Sequence, residues 1–339
     1  MKEAVQTDDL GLLTSGAALH GGLARELIVA TGADRVRFLH GIVTGDVAGT
    51  PVGGGCRSAL LTPKGHVVAD LLIFVRPEEI WIVTDAGQGD ATAAALSRYA
   101  IMDDFAATRR PGFAQLAVLG PAAGPKLVQA GLVPDEAALP GPALLSHASQ
   151  PSQPSIADAW IVRTRELGTD GYWVAGEADV VVGARGRLER DAHVLELSPA
   201  AAEAARIGAL EGRWGAEITP DYFPMEVGLS GAIDYAKGCY LGQEPIVRLR
   251  DRGHINWRLV SLDVAGAVDP APGDALESDT KPRAGKITSV GRFPDARGVA
   301  LAMLHVSIPV GADVRIRHGE TPISARVRQS VSDGKPGSS

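Results

Sequence analysis

Ser58-Ala59-Leu60-Leu61-Thr62-Pro63-Lys64-Gly65-His66-Val67-Val68-Ala69-Asp70, continuing apolar through Val75, reads as two strands joined by the turn Pro63-Lys64-Gly65. Pro77-Glu78-Glu79 supplies a second turn and Ile80-Trp81-Ile82-Val83 a third strand. Three successive strands on short turns form an antiparallel meander, which favours an α+β class over a doubly wound parallel sheet. Upstream, Pro51 and Gly53-Gly54-Gly55 break the chain. Before them, Val36, Leu39, Ile42 and Val43 are spaced for one helix face, and Asp34 is placed to cap that helix with its carboxylate.

Further along, helices are expected at 89–99, 122–131, 178–190 and 200–210, the second with Pro121 at its first helical position. Strands are expected near 105–108, 115–119, 156–163 and 172–175. Residues 134–155, with Pro134, Pro140, Pro142, Pro151 and Pro154, read as a mobile connection between two repeated α+β units. Beyond Arg252, apolar runs at 259–264, 286–290, 299–304 and 325–331 alternate with Gly/Pro turns, the pattern of a small separate β-barrel. The expected division is residues 1–252 for the two α+β units, 253–331 for the barrel and 332–339 for a disordered tail.

A chain of 339 residues exceeds one compact core. Its formal net charge of -7 argues against a general nucleic-acid binder, which needs a basic face. No stretch approaches the roughly 18 apolar residues of a membrane span. Met1 to Leu10 carries three acids and no apolar core, unlike a signal or transit peptide. Two cysteines do not make a disulfide framework, so a cytoplasmic setting is expected. The eight histidines show no metal-ligand spacing, and two thiols cannot by themselves hold an iron–sulfur cluster. Gly120-Pro121-Ala122-Ala123-Gly124-Pro125-Lys126 lacks the Gly-Lys-Ser/Thr ending of a phosphate loop, and its prolines remove N–H donors.

The chemistry concentrates at Lys237-Gly238-Cys239-Tyr240-Leu241-Gly242-Gln243-Glu244. Glycines bracket a thiol there, a lysine stands two residues before it, and Arg248, Arg250 and Arg252 follow. Cations beside a thiol favour the reactive thiolate, so Cys239 is read as a functional thiol with Lys237 as its cation.

This run resembles the hallmark of the YgfZ family of folate-binding proteins, relatives of the T-protein (aminomethyltransferase) of glycine cleavage. The likeness continues in order through Phe38 to Val47, Leu61 to Asp70, Arg98-Tyr99, Gly168 to Tyr172, Pro224 to Leu229 and Ala284 to Ser289, about residues 8–330. It implies two intertwined α+β subdomains around a central cavity for tetrahydrofolate, followed by a C-terminal β-barrel. The implied role is assembly, repair or maintenance of iron–sulfur proteins, with client proteins or assembly factors as partners. Departures from the T-protein pattern are Ala69-Asp70 for a pair of aspartates, Thr169 for a glutamate, and Gly208 for a second glutamate. These losses argue against aminomethyl transfer by the T-protein's route, because a buried carboxylate grips an aminopyrimidine edge strongly.

For the ligand, the resemblance marks Asp70, Arg206, Tyr240, Gln243, Glu244 and Arg248. Asp70 either bonds the pterin or is a solvated hairpin acid. Lys237 either activates the thiol, draws folate's glutamate tail or is a surface lysine. Gln243 and Glu244 orient the loop or cap a following element, and Tyr240 reads as packing. Arg248, Arg250 and Arg252 would share one face of a strand, either solvated or docking an acidic group. Arg206 is a tail-binding cation or a helix-face charge. Besides folate-linked maintenance, two functions remain open: a tetrahydrofolate-dependent aminomethyltransferase or demethylase, and a non-folate, thiol-bearing interaction module.

Overall fold

The computed structural model describes residues 9–21, 24–141, 143–145, 147–149 and 159–331, so the expected tail at 332–339 lies outside the described residues. Helix α1 (Asp9–Ser15) precedes β1 (Ala18–His20), β2 (Arg25–Thr31) and α2 (Arg35–Ile42). Then come the meander β3 (Gly55–Leu61), β4 (Val67–Val75), β5 (Ile80–Asp85), and α3 (Gly89–Ser97), β6 (Ala106–Arg110), β7 (Phe113–Leu119) and α4 (Ala123–Gln129). The second half holds β8 (His147–Ser149), β9 (Trp160–Glu166), β10 (Thr169–Glu177), α5 (Ala178–Arg190), β11 (Leu195–Glu196), α6 (Pro199–Gly208) and α7 (Gln243–Arg252). The last six strands are β12 (Trp257–Val264), β13 (Ala275–Ser278), β14 (Lys281–Arg292), β15 (Gly298–His305), β16 (Asp313–His318) and β17 (Thr321–Ser330).

The chain is α+β, with two sheets and a closed barrel. The first sheet runs β3-β4-β5-β2-β6, the second β11-β1-β7-β10-β9-β8, and the barrel β12-β15-β14-β13-β16-β17. The chain passes to and fro between the two sheets, since β1 belongs to the second, β2 to β6 to the first, and β7 to the second again. That exchange is what intertwines them.

The expected meander forms with β3, β4 and β5 antiparallel. Its near-continuous apolar texture has a simple cause. Side chains alternate across a strand, and both faces of β4 are covered. Leu72 and Phe74 pack toward the second sheet with Trp160 and Trp173, while Leu71, Ile73 and Val75 pack with Phe38, Leu39 and Leu96 of α2 and α3. Trp160 meets Phe74 edge-on at 4.6 Å and Trp81 at 4.7 Å. On the other side, Val181, Ala184 and Leu188 of α5 cover the second sheet. The result is helices outside and two sheets within.

Several local expectations change. Asp34 stands at the N-cap of α2 without a side-chain cap; its Oδ2 instead accepts the Asp104 amide at 2.9 Å, tying the turn to the 101–105 loop. Pro121 precedes rather than opens its helix, which begins at Ala123. Within 134–155, Glu136–Ala138 makes a 3-10 turn and His147–Ser149 pairs with β9, so part of the connection is ordered by strand pairing that prolines at other positions do not prevent. Strands β2, β13 and β16 lie outside the expected set; β13 is only four residues long, and in β16 the charged Asp313, Arg315 and Arg317 alternate with Val314 and Ile316.

Candidate functional site

Helix α6 starts cleanly, with Ser198 Oγ accepting the Ala201 amide and Pro199 at the first turn, where a missing N–H costs nothing. Between α6 and the ends of the two sheets lies a cavity of about 730 Å3. That volume suits a small-molecule ligand.

Its walls carry charge in pairs. Arg57 on β3 donates from Nε to Asp70 Oδ1 (3.1 Å) and from Nη2 to Asp70 Oδ2 (2.6 Å). Burial pushes the Asp70 carboxyl up, but the charge and hydrogen bonds of Arg57 outweigh it and hold it below the ordinary value. Asp70→Asn is expected to cost about 1.5–3 kcal/mol at pH 7 by denaturant titration. Because the folded-state value is depressed, this stabilisation is present above the unfolded carboxylate value and disappears as pH falls through the folded one. The gap between native and variant should therefore close in acid; a constant gap would count against the pair.

Arg25 on β2 faces Asp85 on β5 in register, 3.3 Å apart. Arg25 Nε is buried with no hydrogen-bond partner among the described residues. Glu166, at the end of β9, accepts the Trp173 indole N–H at 2.8 Å, and burial pushes its carboxyl up to about 7 against the pull of Arg25. Glu211 accepts the amides of Leu167 (3.0 Å) and Gly168 (2.9 Å). Both turn residues have positive φ, 54° and 73°, which the hairpin between β9 and β10 requires and which glycine adopts freely.

Arg206 lines the cavity but has its guanidinium committed. It donates to both oxygens of Glu203 (2.9 and 2.7 Å), to the Glu211 carbonyl (2.5 Å) and to Glu217 Oε2 (3.3 Å). Glu217, fully buried, also accepts Ser289 Oγ of β14 at 2.6 Å. Arg206 is thus neither a free tail cation nor a helix-face charge. It binds the cavity wall to the barrel.

Of the residues marked from sequence, Asp70 and Arg206 line this cavity. Cys239, Lys237, Tyr240, Gln243, Glu244 and Arg248 lie outside its lining. Cys239 is exposed. Lys237 reaches back to the end of α2, where Nζ donates to the carbonyls of His40 (2.5 Å), Val43 (2.8 Å) and Gly45 (2.7 Å). Partial burial brings its amine down to about 8. Tyr240 is core, packed with Leu61, Val67 and Ile246. Of the bracketing glycines, only Gly242 has positive φ, and a Cβ there would lie 2.5 Å from the Thr62 carbonyl. That glycine seats the motif on the first hairpin.

Gln243, Glu244 and the arginines belong to α7, not to a strand. Ile246 and Leu249 face the core at helical spacing, which fixes the helix. Arg248 pairs with Glu244 in solvent at 2.6 Å, while Arg250 pairs with Asp251 and lies over the Tyr235 ring.

Sequence reading missed Arg25, Arg57, Asp85, Glu166 and Glu211. Position-by-position comparison with the T-protein pattern counts losses at Thr169 and Gly208, while Glu166 and Glu211 bring carboxyls into the cavity from nearby positions. Among the described residues, no group of three or more His, Cys, Asp or Glu could hold a metal ion, and no helix is long and apolar enough to cross a membrane.

Comparison with known proteins matches residues 24–237 to the GCVT N-terminal domain. The chain is 24% identical over 306 residues to an aminomethyltransferase of Bacillus velezensis, covering 88% of this chain and 82% of that protein. It is 27% identical over 281 residues to the mitochondrial iron-sulfur cluster assembly factor IBA57 homolog of Phaeosphaeria nodorum, covering 76% of this chain and 60% of that protein. The crystal structure of glycine cleavage system aminomethyltransferase T from Bartonella henselae shares the fold, with a TM-score of 0.82 at 24% identity over 95% of this chain and 88% of that one.

Proposed function

This chain belongs to the GCVT N-terminal domain family, related to the T-protein, and we propose from that premise that it binds tetrahydrofolate in the central cavity and serves the assembly, repair or maintenance of iron–sulfur proteins, as the YgfZ family is expected to do. The observation that carries the reading is the division of the molecule into a charged cavity and an exposed thiol outside it. The cavity fits a polar heterocycle: Arg25 Nε is a buried donor with no partner among the described residues, and Glu166 offers an acceptor. Arg25 and Glu166 would hold and orient the ring, with the Arg57–Asp70 pair and Glu211 shaping the wall around it. Bound tetrahydrofolate would supply a one-carbon acceptor. Cys239, on the surface, would meet an iron–sulfur client or assembly factor, and two free cysteines suit a cytoplasmic setting. The relative named as an iron-sulfur cluster assembly factor supports this role.

The aminomethyltransferase relatives favour a second reading, one-carbon transfer from a small donor. Anaerobic calorimetry with tetrahydrofolate, on the native protein and Cys239→Ser, separates the possibilities. Binding by both is expected, with Cys239→Ser losing support of iron–sulfur enzyme activity in cells lacking the native protein. Turnover of an aminomethyl donor that is indifferent to Cys239 would favour transfer. No binding by the native protein would leave a thiol-bearing interaction module.

A further inference from the structure

The acids lining the cavity differ in what their oxygens already hold. Asp70 has both on Arg57, Glu203 has both on Arg206, and Glu211 has both on backbone amides. Asp85 is ion-paired with Arg25. Glu166 has no ion pair among the described residues; its Oε1 is fixed by the Trp173 indole, and none of them donates a hydrogen bond to its Oε2. A carboxyl with one oxygen pinned and the other open to a cavity is a directional acceptor.

We propose that Glu166 is the specificity-determining residue of the cavity, its open oxygen accepting a ring N–H or amino group of a fused aminopyrimidine. This rests on the tetrahydrofolate reading and names the residue that recognises the ring. A ligand N–H donor favours the carboxylate over the neutral acid, because the charge-assisted bond is the stronger. Around Glu166 stand Arg25 from β2, which pulls its value down, and Glu211 after α6, which pushes it up; the Arg57–Asp70 and Arg25–Asp85 pairs line the same space. His20 also lines the cavity, and burial holds it below its ordinary value against the pull of Glu196. With Glu166 near 7, the carboxylate is the minor form at pH 6 and the major form at pH 8.

The test is anaerobic calorimetry with tetrahydrofolate from pH 6 to pH 8, on the native protein and on Glu166→Gln, whose amide keeps the side chain's shape. Native affinity is expected to rise about tenfold across that range, following the competent fraction. Glu166→Gln should bind about tenfold or more weakly at pH 8, with a flat profile. Independently of any variant, native binding near pH 6.5 should release a proton, read from the dependence of heat on buffer ionisation. Native binding without proton release, or Glu166→Gln binding with native affinity and slope, overturns the role of Glu166 and leaves the folate reading standing. No native binding overturns both.

Discussion

Arg206→Met is expected to lower the free energy of unfolding by about 3–5 kcal/mol, among the largest effects of any single change in the cavity wall. The reason is what remains behind. Glu217 is fully buried, and without Arg206 its remaining partners are the Ser289 hydroxyl and the Arg213 amide, neither of which carries charge. Glu203 keeps Arg213 at 3.5 Å, and the Glu211 carbonyl loses its donor. Because Glu217 joins α6 to β14, the barrel should loosen from the cavity wall as well as the core weakening. Hydrogen exchange should show faster opening of α6 and β14 before global unfolding. The double change Arg206→Met with Glu217→Gln should recover part of the loss, since it removes the stranded charge. An exposed tail-binding arginine would do neither; its loss would leave stability within about 0.5 kcal/mol.

The second large effect is at Lys237. Lys237→Met is expected to cost about 2–4 kcal/mol, because three carbonyls at and beyond the end of α2 lose a cationic donor in a partly buried place. Chemical denaturation of this variant beside Cys239→Ser makes the comparison direct. Cys239 is exposed, so its serine variant should stay within about 0.5 kcal/mol of native. The rate of Cys239 alkylation in folded Lys237→Met should match native, since the amine is directed to the three carbonyls. A large drop in that rate without loss of stability would restore the lysine as the thiol's cation.

These two residues mark where a motif in the sequence and a site in space part company. Lys237 and Cys239 are two residues apart, yet one side chain turns back to α2 and the other is exposed. Arg248, Arg250 and Arg252 alternate along the chain as strand residues would, but Ile246 and Leu249 commit the segment to a helix packed on the core. Alternation over five residues does not distinguish the two periods; the core-facing pair at i, i+3 does. Tyr240 illustrates the simpler case, since the aromatic beside Cys239 is part of the core.

By itself the sequence determined the α+β class, the meander around Pro63-Lys64-Gly65, the terminal barrel and the family likeness, because apolar periodicity and turn chemistry are local properties of the chain. Only the tertiary structure decided which acids face the cavity. Glu166 comes from β9, Glu211 from the segment after α6, Arg25 from β2 and Asp70 from β4, and no spacing along the chain announces that four such distant segments meet. Their meeting follows from two sheets exchanging strands and packing face to face. Burial at that junction is also what turns an ordinary glutamate into one that titrates near neutral pH.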